Sequence, residues 1–311
     1  MSKNTAQTTP HILMVRPANF GFNDETAASN AFQSDDGSLG HEEISRLAVA
    51  EFDAFVEKLR SAGVDVIVAQ DTVRPLKPDA VFPNNWVTFH EDGTVVTYPM
   101  YAPVRRLERR ADILLDLQAR FRVNRKIQLE EYENIEHFLE GTGSMIIDRP
   151  NGLVYACLSP RTTRSLLERF CAQMDCEPVA FHAIDAAGVE IYHTNVMMAL
   201  GETFVVICLD TVTDETEQAL LLQKFALTGK EIIEISPEQM MAFAGNMLQV
   251  RNRKGETYLV MSEQAYRSLN ARQVSQIMRH TNILYSPIPT IETYGGGSAR
   301  CMMAEVFLPE K

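Results

Sequence analysis

One of the five cysteines lies at the end of a glycine-rich segment. The sequence GGGSARC covers residues 295–301, and an apolar strand-like stretch follows it directly. Glycines let backbone N–H groups approach a thiol, and Arg300 together with a nearby imidazolium would stabilise a thiolate. The other four cysteines fall in apolar strand-like runs or in and just after a helical run, which is typical of small core residues. We therefore predict that Cys301 is a nucleophile.

A histidine and a glutamate supply the other groups that a thiol nucleophile requires. His193 lies in IYHTN and Glu140 in LEGTGS, each just before an apolar strand-like run, as Cys301 does. Taken singly, His193 would more often be structural and Glu140 a solvated loop acid. As a set, the imidazole moves protons, while the carboxylate fixes its tautomer and supports its charged form. The set predicts attack on an electrophilic carbon and a covalent intermediate, with no metal and no cofactor.

Asparagines precede two further strand-like runs in the same way. They are Asn84 and Asn85 in VFPNNWV and Asn246 in AGNMLQV. Simple turn formation after Pro83 is the alternative explanation for the first two. If these positions converge with Cys301, carboxamides surround the thiol.

A repeated order of elements would bring these residues together. Four units of about 50 to 60 residues are each predicted as strand, strand, helix, strand. In chain order their first strand pairs are AVFPNNWVTFH with GTVVTYP, GSMIID with LVYACL, NVMMAL with TFVVICLD, and NMLQVRN with TYLVMS. The helices after these pairs are expected near 104–121, from Ser159 with Pro160 in its first turn, near 213–228 and over 262–280.

The fifth unit has to be assembled from both ends of the chain. MMAEVFL at 302–308 and HILMV at 11–15 supply the strand pair, residues 42–61 the helix, and VDVIVA the last strand. The alternative is an ordinary doubly wound α/β sheet, but its strands alternate singly with helices. We therefore predict a ring of five units closed by pairing of the terminal strands, with equivalent positions at one end of the central axis.

The composition favours a globular protein that handles small molecules. The chain has 311 residues, 45% of them hydrophobic, and its net charge of -12 disfavours nucleic acid and anionic membranes as partners. No apolar stretch approaches ~18 residues and the polar start lacks the features of a signal peptide, so we expect a cytoplasmic protein. The odd cysteine count and the lack of metal-ligand spacing argue against disulfides and zinc. Assembly into a homo-oligomer stays open.

Residues 19–40 form a long, polar, glycine-punctuated stretch between the strand HILMV and its helix. Long loops in compact domains are usually lids or disordered segments. Within one catalytic domain spanning 1–311, we predict a lid that contacts the substrate through Phe20, Phe22 and Asn23. A surface loop without ligand contact is the alternative. Residues 1–9 are expected to form a flexible tail.

The combined motifs resemble the guanidine-modifying, or pentein, superfamily, which includes arginine deiminases, dimethylarginine dimethylaminohydrolases, succinylarginine dihydrolase and amidinotransferases. The resemblance rests on PDAVFPNNW, EGTGS, SPRTT, IYHTN and GGGSARC, which span nearly the whole chain in order. It implies a fivefold pseudosymmetric α/β propeller of ββαβ units, in agreement with the predicted ring. It further implies that Cys301 is the nucleophile, His193 the general acid and base, and Glu140 the partner of that histidine.

The same resemblance implies three residues that hold the substrate. Asp79 falls on the acid that family members set near the amine end of the substrate. Arg161 in SPRTT and Arg106 in PVRRLE resemble the arginines that hold or frame the carboxylate, and the neighbouring Arg105 is the other candidate for the second position.

Two departures from arginine deiminases favour a neutral substrate. Deiminases usually carry acids where this chain has Asn84 and Asn85, and an H-x-D where it has His193-Thr194-Asn195. Such acids pair with a cationic guanidinium, whereas a buried carboxylate without a cation costs several kcal/mol. An asparagine can donate to the C=O and accept from the N–H of a ureido group. The chain thus looks most like the citrulline-utilisation hydrolases, which cleave the ureido group of citrulline.

We therefore predict a hydrolase that converts citrulline into ornithine, carbon dioxide and ammonia through an S-carbamoyl enzyme. Succinylarginine dihydrolase also resembles the chain in its asparagine near the guanidine carbon. An arginine deiminase or (N-succinyl)arginine dihydrolase, with Asp79 supplying negative charge, is thus the second interpretation. A catalytically silent amino-acid-binding protein on the same scaffold is the third.

Overall fold

Strand pairing divides the protein into five sheets of three strands each. The computed structural model describes residues 5–27, 30–35 and 37–311, and the strands within these ranges all belong to the five sheets. In each sheet the central strand is antiparallel to one neighbour and parallel to the other. A helix connects each parallel pair, as such a crossover requires. The predicted ββαβ units are confirmed.

The strands are short and are numbered in chain order. They are β1 (His11–Arg16), β2 (Asp65–Gln70), β3 (Val87–Phe89), β4 (Thr94–Thr97), β5 (Arg125–Gln128), β6 (Ile146–Asp148), β7 (Leu153–Cys157), β8 (Glu177–Phe181), β9 (Met198–Leu200), β10 (Phe204–Ile207), β11 (Glu231–Glu234), β12 (Leu248–Arg251), β13 (Thr257–Ser262), β14 (Asn282–Ser286) and β15 (Ala304–Glu305). The sheets have the orders β15-β1-β2, β3-β4-β5, β6-β7-β8, β9-β10-β11 and β12-β13-β14.

The helices include long connectors and single turns. They are α1 (Asp24–Ala27), α2 (His41–Ser61), α3 (Ala111–Arg120), α4 (Gly141–Ser144), α5 (Arg164–Met174), α6 (Thr194–Met197), α7 (Glu215–Leu227), α8 (Pro237–Met241), α9 (Glu263–Ser268), α10 (Ala271–Met278) and α11 (Pro289–Gly295). Short 3-10 helices cover Pro83–Asn85, Pro103–Glu108, Glu130–Ile135 and Leu209–Thr211. No described helix is long and apolar enough to cross a membrane.

The first sheet is built from both ends of the chain, as predicted. β15 pairs antiparallel with β1, placing Glu305 opposite Ile12, and β1 pairs parallel with β2 along its whole length. β15 has only two residues rather than the seven expected, because backbone hydrogen bonds keep residues 299–303 in consecutive turns. These turns shape the segment that carries Cys301.

Hydrophobic clusters fill the spaces between neighbouring sheets. The central strands are apolar on both faces, and the four residues of β10, FVVI, are all buried. One cluster joins the first and second sheets through Val15 and Val87, and another joins the second and third through Val96 and Ile147. A further cluster contains residues of the last three sheets, and another joins the fifth sheet to the first. Each sheet therefore packs against the next.

Three of the predicted helices have different bounds. The helix expected from Ser159 begins at Arg164, because Thr162 N–H donates to Ser159 O at 3.0 Å and closes a turn. The helix expected over 262–280 is divided into α9 and α10, since the side chain of Asn270 caps a second helix start. The helix expected near 104–121 is divided into the 3-10 helix Pro103–Glu108 and α3.

The N-terminal segment is packed where a flexible tail was expected. The side chain of Gln7 donates to Ile147 O at 2.9 Å, and Thr9 Oγ1 donates to Val306 O at 2.9 Å. Thr8 and Thr9 are both buried. The expectation was therefore wrong for residues 7–9, while residues 1–4 lie outside the described ranges.

Candidate active site

Cys301 and His193 line one small cavity, together with three other predicted site residues, Asp79, Asn85 and Arg161. The volume of the cavity is about 20 Å³, which is room for about one water molecule. The other lining residues are Thr26, Asn30, Phe82, Arg105, Tyr192, Gly295, Gly296 and Gly297. An amino acid cannot fit in this volume, so the surrounding segments must move before a substrate enters.

The loop that carries Cys301 requires glycine at two positions. Gly296 ends α11 with a φ of +60°, in the left-handed region that favours glycine. A Cβ on Gly297 would lie 2.8 Å from the ring of Phe82, which is too close for any other residue. The loop then turns back, and Cys301 N–H donates to Ser298 O at 3.0 Å. This path leaves the thiol at the cavity wall.

Two asparagine amides approach the thiol, and of the three asparagines in the predicted pattern only Asn246 is one of them. Asn246 Nδ2 lies 3.2 Å and Asn195 Nδ2 lies 3.4 Å from Cys301 Sγ. The orientation of the Asn246 amide is fixed because its Oδ1 accepts a hydrogen bond from Arg300 N–H at 3.0 Å. Both amides therefore direct an N–H donor at the sulfur of Cys301.

His193 and Glu140 form a buried pair. His193 Nε2 lies 2.7 Å from Glu140 Oε2, and the other carboxylate oxygen accepts from Tyr101 N–H at 2.9 Å. Burial raises the pKa of Glu140, but Arg161 and His193 outweigh it and bring the pKa down to about 2. Burial lowers the pKa of His193 to about 4, with Glu140 opposing the change. Near neutral pH the pair is therefore a carboxylate accepting from a neutral imidazole, which leaves Nδ1 as a proton acceptor.

Local geometry explains why these two side chains face the cavity. Glu140 and His193 occupy the N-cap positions of the single-turn helices α4 and α6, and neither side chain caps its own helix. Both remain available to each other. Gly143 in α4 packs against the site so closely that a Cβ would lie 2.3 Å from Asn85 Nδ2 and 2.8 Å from the His193 ring.

Arg105, rather than Arg106, lies at the cavity. Arg106 Nε donates to Met100 O at 3.1 Å and its guanidinium lies 3.3 Å from Glu133, away from the lining residues. Arg105 is buried and is held by two 2.9 Å hydrogen bonds to the carboxylate of Glu108. The 3-10 helix Pro103–Glu108 determines which of its side chains face inward, and Arg105, the first arginine of PVRRLE, is one of them. Glu108 was not predicted, although its spacing of three residues from Arg105 is the signal that could have identified it.

Arg161 lines the cavity. Its guanidinium lies 4.9 Å from the centre of the Tyr192 ring and 3.7 Å from Glu140 Oε2. Tyr192 Oη donates to Gly296 O at 3.0 Å, which ties this group to the Cys301 loop. Tyr192 was missed as a lining residue, although it stands beside His193.

Asp79 and the two adjacent asparagines leave polar atoms unsatisfied. Asp79 Oδ2 accepts from Asn23 Nδ2 at 2.7 Å, while Asp79 Oδ1 has no hydrogen-bond partner among the described residues. Burial raises the pKa of Asp79, and Arg105 opposes the rise. Asn85 Oδ1 accepts from Arg105 Nη2 at 3.1 Å, whereas Asn85 Nδ2 is buried without a partner in the described chain. Asn84 is fully buried but does not line the cavity.

The described part of the stretch 19–40 contributes to the wall of the cavity. Its lining residues are Thr26 and Asn30 rather than the predicted Phe20, Phe22 and Asn23. Phe20 is fully buried in the core and Phe22 packs against that cluster, while Asn23 Nδ2 donates a hydrogen bond to Asp79 Oδ2. The polarity of the loop indicated a covering role, but not which of its side chains turn inward.

A second group has side chains of the type that bind metals. His11, Asp65 and Glu310 are the one such cluster among the described residues, and they lie outside the cavity. Arg120 and Arg253 already bind both carboxylates. Two guanidinium groups at these oxygens supply the positive charge that a cation would bring, so the cluster is an ion-pair network.

Solved structures share this fold. The N-terminal domain of an Asn-to-Ser variant of ArgZ, covalently bonded to a reaction intermediate, superposes with a TM-score of 0.74 at 17% identity, over 96% of this chain and 98% of that chain. ArgZ is an arginine dihydrolase of cyanobacteria. AgrE with L-arginine gives a TM-score of 0.74 at 17% identity, over 97% of this chain but 40% of that one. The adduct of a dimethylarginine dimethylaminohydrolase with S-methyl-L-thiocitrulline gives 0.64 at 16% identity, over 95% and 98%.

The fold and the cavity define a hydrolase of the guanidine-modifying superfamily, a class that acts on C–N bonds of arginine-like compounds. Residues 16–308 match the family described as eukaryotic N,N dimethylarginine dimethylhydrolase, and the chain belongs to that family. No curated protein is similar enough in sequence to count as a match.

Proposed function

We propose that this protein hydrolyses the ureido group of citrulline. The observation that carries the proposal is the amide of Asn85. The amide oxygen of Asn85 accepts a hydrogen bond from Arg105. The NH₂ group of the same amide is a buried donor without a partner in the described chain, and it is therefore available to a bound substrate. A ureido oxygen can accept from this donor, whereas a guanidinium has no acceptor.

Unsatisfied atoms of Asn85, which lines the cavity, and of Asn195, whose amide approaches Cys301, support the same substrate. A ureido group presents one oxygen acceptor together with N–H donors. Asn85 Nδ2 matches the oxygen, and the buried oxygen Asn195 Oδ1, also without a partner among the described residues, matches an N–H. Leaving such groups unpaired costs about 1–3 kcal/mol each, and a bound ureido group would recover that cost.

The first chemical step forms a bond between Cys301 Sγ and the ureido carbon. Neutral His193 takes the thiol proton, and Glu140 stabilises the resulting imidazolium. The amide N–H groups of Asn195 and Asn246 point at the sulfur during this attack. The C–N bond to the ornithine side chain then breaks as His193 returns the proton to the departing nitrogen, leaving an S-carbamoyl enzyme.

The second step adds water to the S-carbamoyl group. His193 deprotonates the water, the C–S bond breaks, and the released carbamate decomposes into carbon dioxide and ammonia. Arg161 would hold the α-carboxylate and the free oxygen of Asp79 the α-ammonium group. Arg105, which is held by Glu108, orients Asn85, and its positive charge offsets the negative charge of Asp79. All of these steps use side chains of this chain.

An arginine-type reaction is the second candidate. The unsatisfied oxygen of Asp79 could serve a guanidinium, and ArgZ and AgrE are reported with arginine-related ligands. The family description points likewise to methylated arginine. Citrulline is preferred because Asn85 presents a donor, not an acceptor, to the reacting group.

We further propose that the five sheets are the blades of a closed, fivefold pseudosymmetric propeller forming one catalytic domain. The pairing of β15 with β1 and the hydrophobic clusters between successive sheets support this arrangement. We also propose that residues 19–40 act as a lid. Thr26 and Asn30 line a cavity that is too small for a substrate, so this loop is the segment best placed to open.

A panel of substrates tests the proposed reaction. Purified protein is incubated with citrulline, arginine, N-succinylarginine and asymmetric dimethylarginine, and ornithine, citrulline, ammonia and dimethylamine are quantified. Citrulline should yield equal amounts of ornithine and ammonia. Faster release of ammonia or dimethylamine from a guanidinium compound would establish the second candidate, and no turnover of any compound would indicate a binding protein.

A further inference from the structure

We propose that Glu292 is a positioning residue that holds the Cys301 loop in its reactive conformation through Ser298. The inference deepens the proposed function, because it concerns the loop that carries the proposed nucleophile. Glu292 lies on α11, and its carboxyl group does not line the cavity. Its effect on the reaction would therefore pass through the loop.

Ser298 connects Glu292 to Cys301 by two hydrogen bonds. Its Oγ donates to Glu292 Oε1 at 2.6 Å, and its carbonyl oxygen accepts from Cys301 N–H at 3.0 Å. Ser298 is fully buried, so water does not compete for either bond. A shift of Ser298 would move the backbone N–H of the nucleophile.

Glu292 also fixes the other end of the loop. Its own carbonyl oxygen accepts from Gly296 N–H at 3.0 Å, where α11 ends. The intervening glycines have no side chains with which to hold a conformation and lose more backbone entropy on ordering than other residues do. One residue thus anchors the segment on both sides of Gly297, once through the backbone and once through the carboxyl group.

The carboxyl group of Glu292 is costly to keep in this place. It is only 3% exposed, and no cationic side chain forms an ion pair with it in the described residues. Burial raises its pKa to about 7, with hydrogen bonds from Ser262 and Ser298 opposing the rise. The charged group that faces it is Glu51 of α2, which accepts N–H groups of Thr290 and Ile291. A purely structural contact would not require an acid here.

Ionisation of Glu292 should strengthen the hold on Ser298. A hydroxyl that donates to a carboxylate forms a bond roughly twice as strong as one between neutral groups. The raised pKa places the change from neutral to charged near pH 7, so the loop should be held most firmly above that value. Below it, Glu292 and a glutamine at the same position should behave alike.

Alkylation of Cys301 by iodoacetamide measures the loop without any substrate. The rate constant is followed by mass spectrometry of the Cys301 peptide from about pH 5.5 to about pH 8.5, for wild type, Ser298→Ala, Glu292→Gln and Glu51→Gln. Glu51→Gln is the matched control, because it removes a partly buried carboxylate that caps the same helix without touching the loop. Each variant is divided by wild type at the same pH, so the ratio reports only the difference between the two proteins.

We expect Ser298→Ala to lower the rate constant about tenfold at high pH, and Glu292→Gln about fivefold. At the lowest pH, the rate constant of Glu292→Gln divided by that of wild type should return to about one. The rate constant of Glu51→Gln should stay within about twofold of wild type at every pH. A Glu292→Gln ratio that does not change with pH, or an equal loss in Glu51→Gln, would overturn the proposal. If Ser298→Ala does not fold, the Glu292→Gln ratio decides alone. A failed citrulline assay leaves this readout intact and would refute only the substrate.

Discussion

Changing Asn85 to aspartate exchanges one buried NH₂ for an oxygen and should invert the preference between neutral and cationic substrates. In the native site, Asn85 Oδ1 accepts from Arg105 and Nδ2 has no partner in the described chain. Asn85→Asp keeps the contact with Arg105 but presents an acceptor to the ureido oxygen. Two facing acceptors repel, whereas a guanidinium would gain a partner.

The magnitude follows from the lost donor. Removing the partner of a buried neutral group costs about 1–3 kcal/mol, which is roughly a five- to 160-fold loss in kcat/KM for citrulline. Any activity towards arginine should be spared or raised, because the new carboxylate meets a cation. The ratio of the two kcat/KM values should therefore fall by about a hundredfold.

The assay compares citrulline and arginine turnover in wild type, Asn85→Asp and Asn84→Asp. Asn84 is the matched control, since it is equally buried and adjacent but does not line the cavity. Its change to aspartate should lower both activities by the same factor through stability alone. If Asn85→Asp also lowers both activities equally, Asn85 does not recognise the ureido group, and the preference for citrulline is refuted.

Three further expectations follow from the geometry. Gly143→Ala should reduce turnover at least about a hundredfold with a far smaller change in stability, because a Cβ would lie 2.3 Å from Asn85 Nδ2; near-native turnover would contradict the packing. Between pH 7 and pH 5 the free energy of unfolding should fall by about 2 kcal/mol on account of His193, because the unfolded histidine gains a proton that the native one, with its pKa of about 4, does not. Urea titrations of wild type and His193→Gln check this, and an equal loss in both would contradict it. Limited proteolysis within 19–40 should slow when citrulline is bound, whereas unchanged cleavage would indicate a surface loop without ligand contact.

The sequence indicated the units of the fold well because hairpin pairs and crossover helices leave local signals. Alternating apolar runs, glycine turns and the recurring order of elements identify the sheets, including the one shared by both ends of the chain. Helix bounds were less accurate where a tertiary contact decides them. Ser159, for example, donates to Tyr192 O instead of capping a helix, a choice made by a residue 33 positions away.

The candidate site was predictable in composition but not in orientation. Glycine and apolar context pointed to Cys301, and the like positions of His193 and Glu140 pointed to their convergence. Whether Arg105 or Arg106 faces inward depends on how the 3-10 helix is rotated about its axis. Two adjacent arginines in a sequence do not reveal that rotation. The same holds for Thr26 and Asn30, because loop side chains have no periodicity that separates inside from outside.

The most direct test of the proposed reaction is capture of its intermediate. Citrulline labelled at the ureido carbon is mixed with the enzyme, the reaction is quenched with acid during turnover, and the peptides are examined by mass spectrometry. The proposed mechanism predicts a labelled carbamoyl group on Cys301, formed together with ornithine and absent in Cys301→Ser. Label on a different cysteine, or ornithine formation by Cys301→Ser at the wild-type rate, would contradict it.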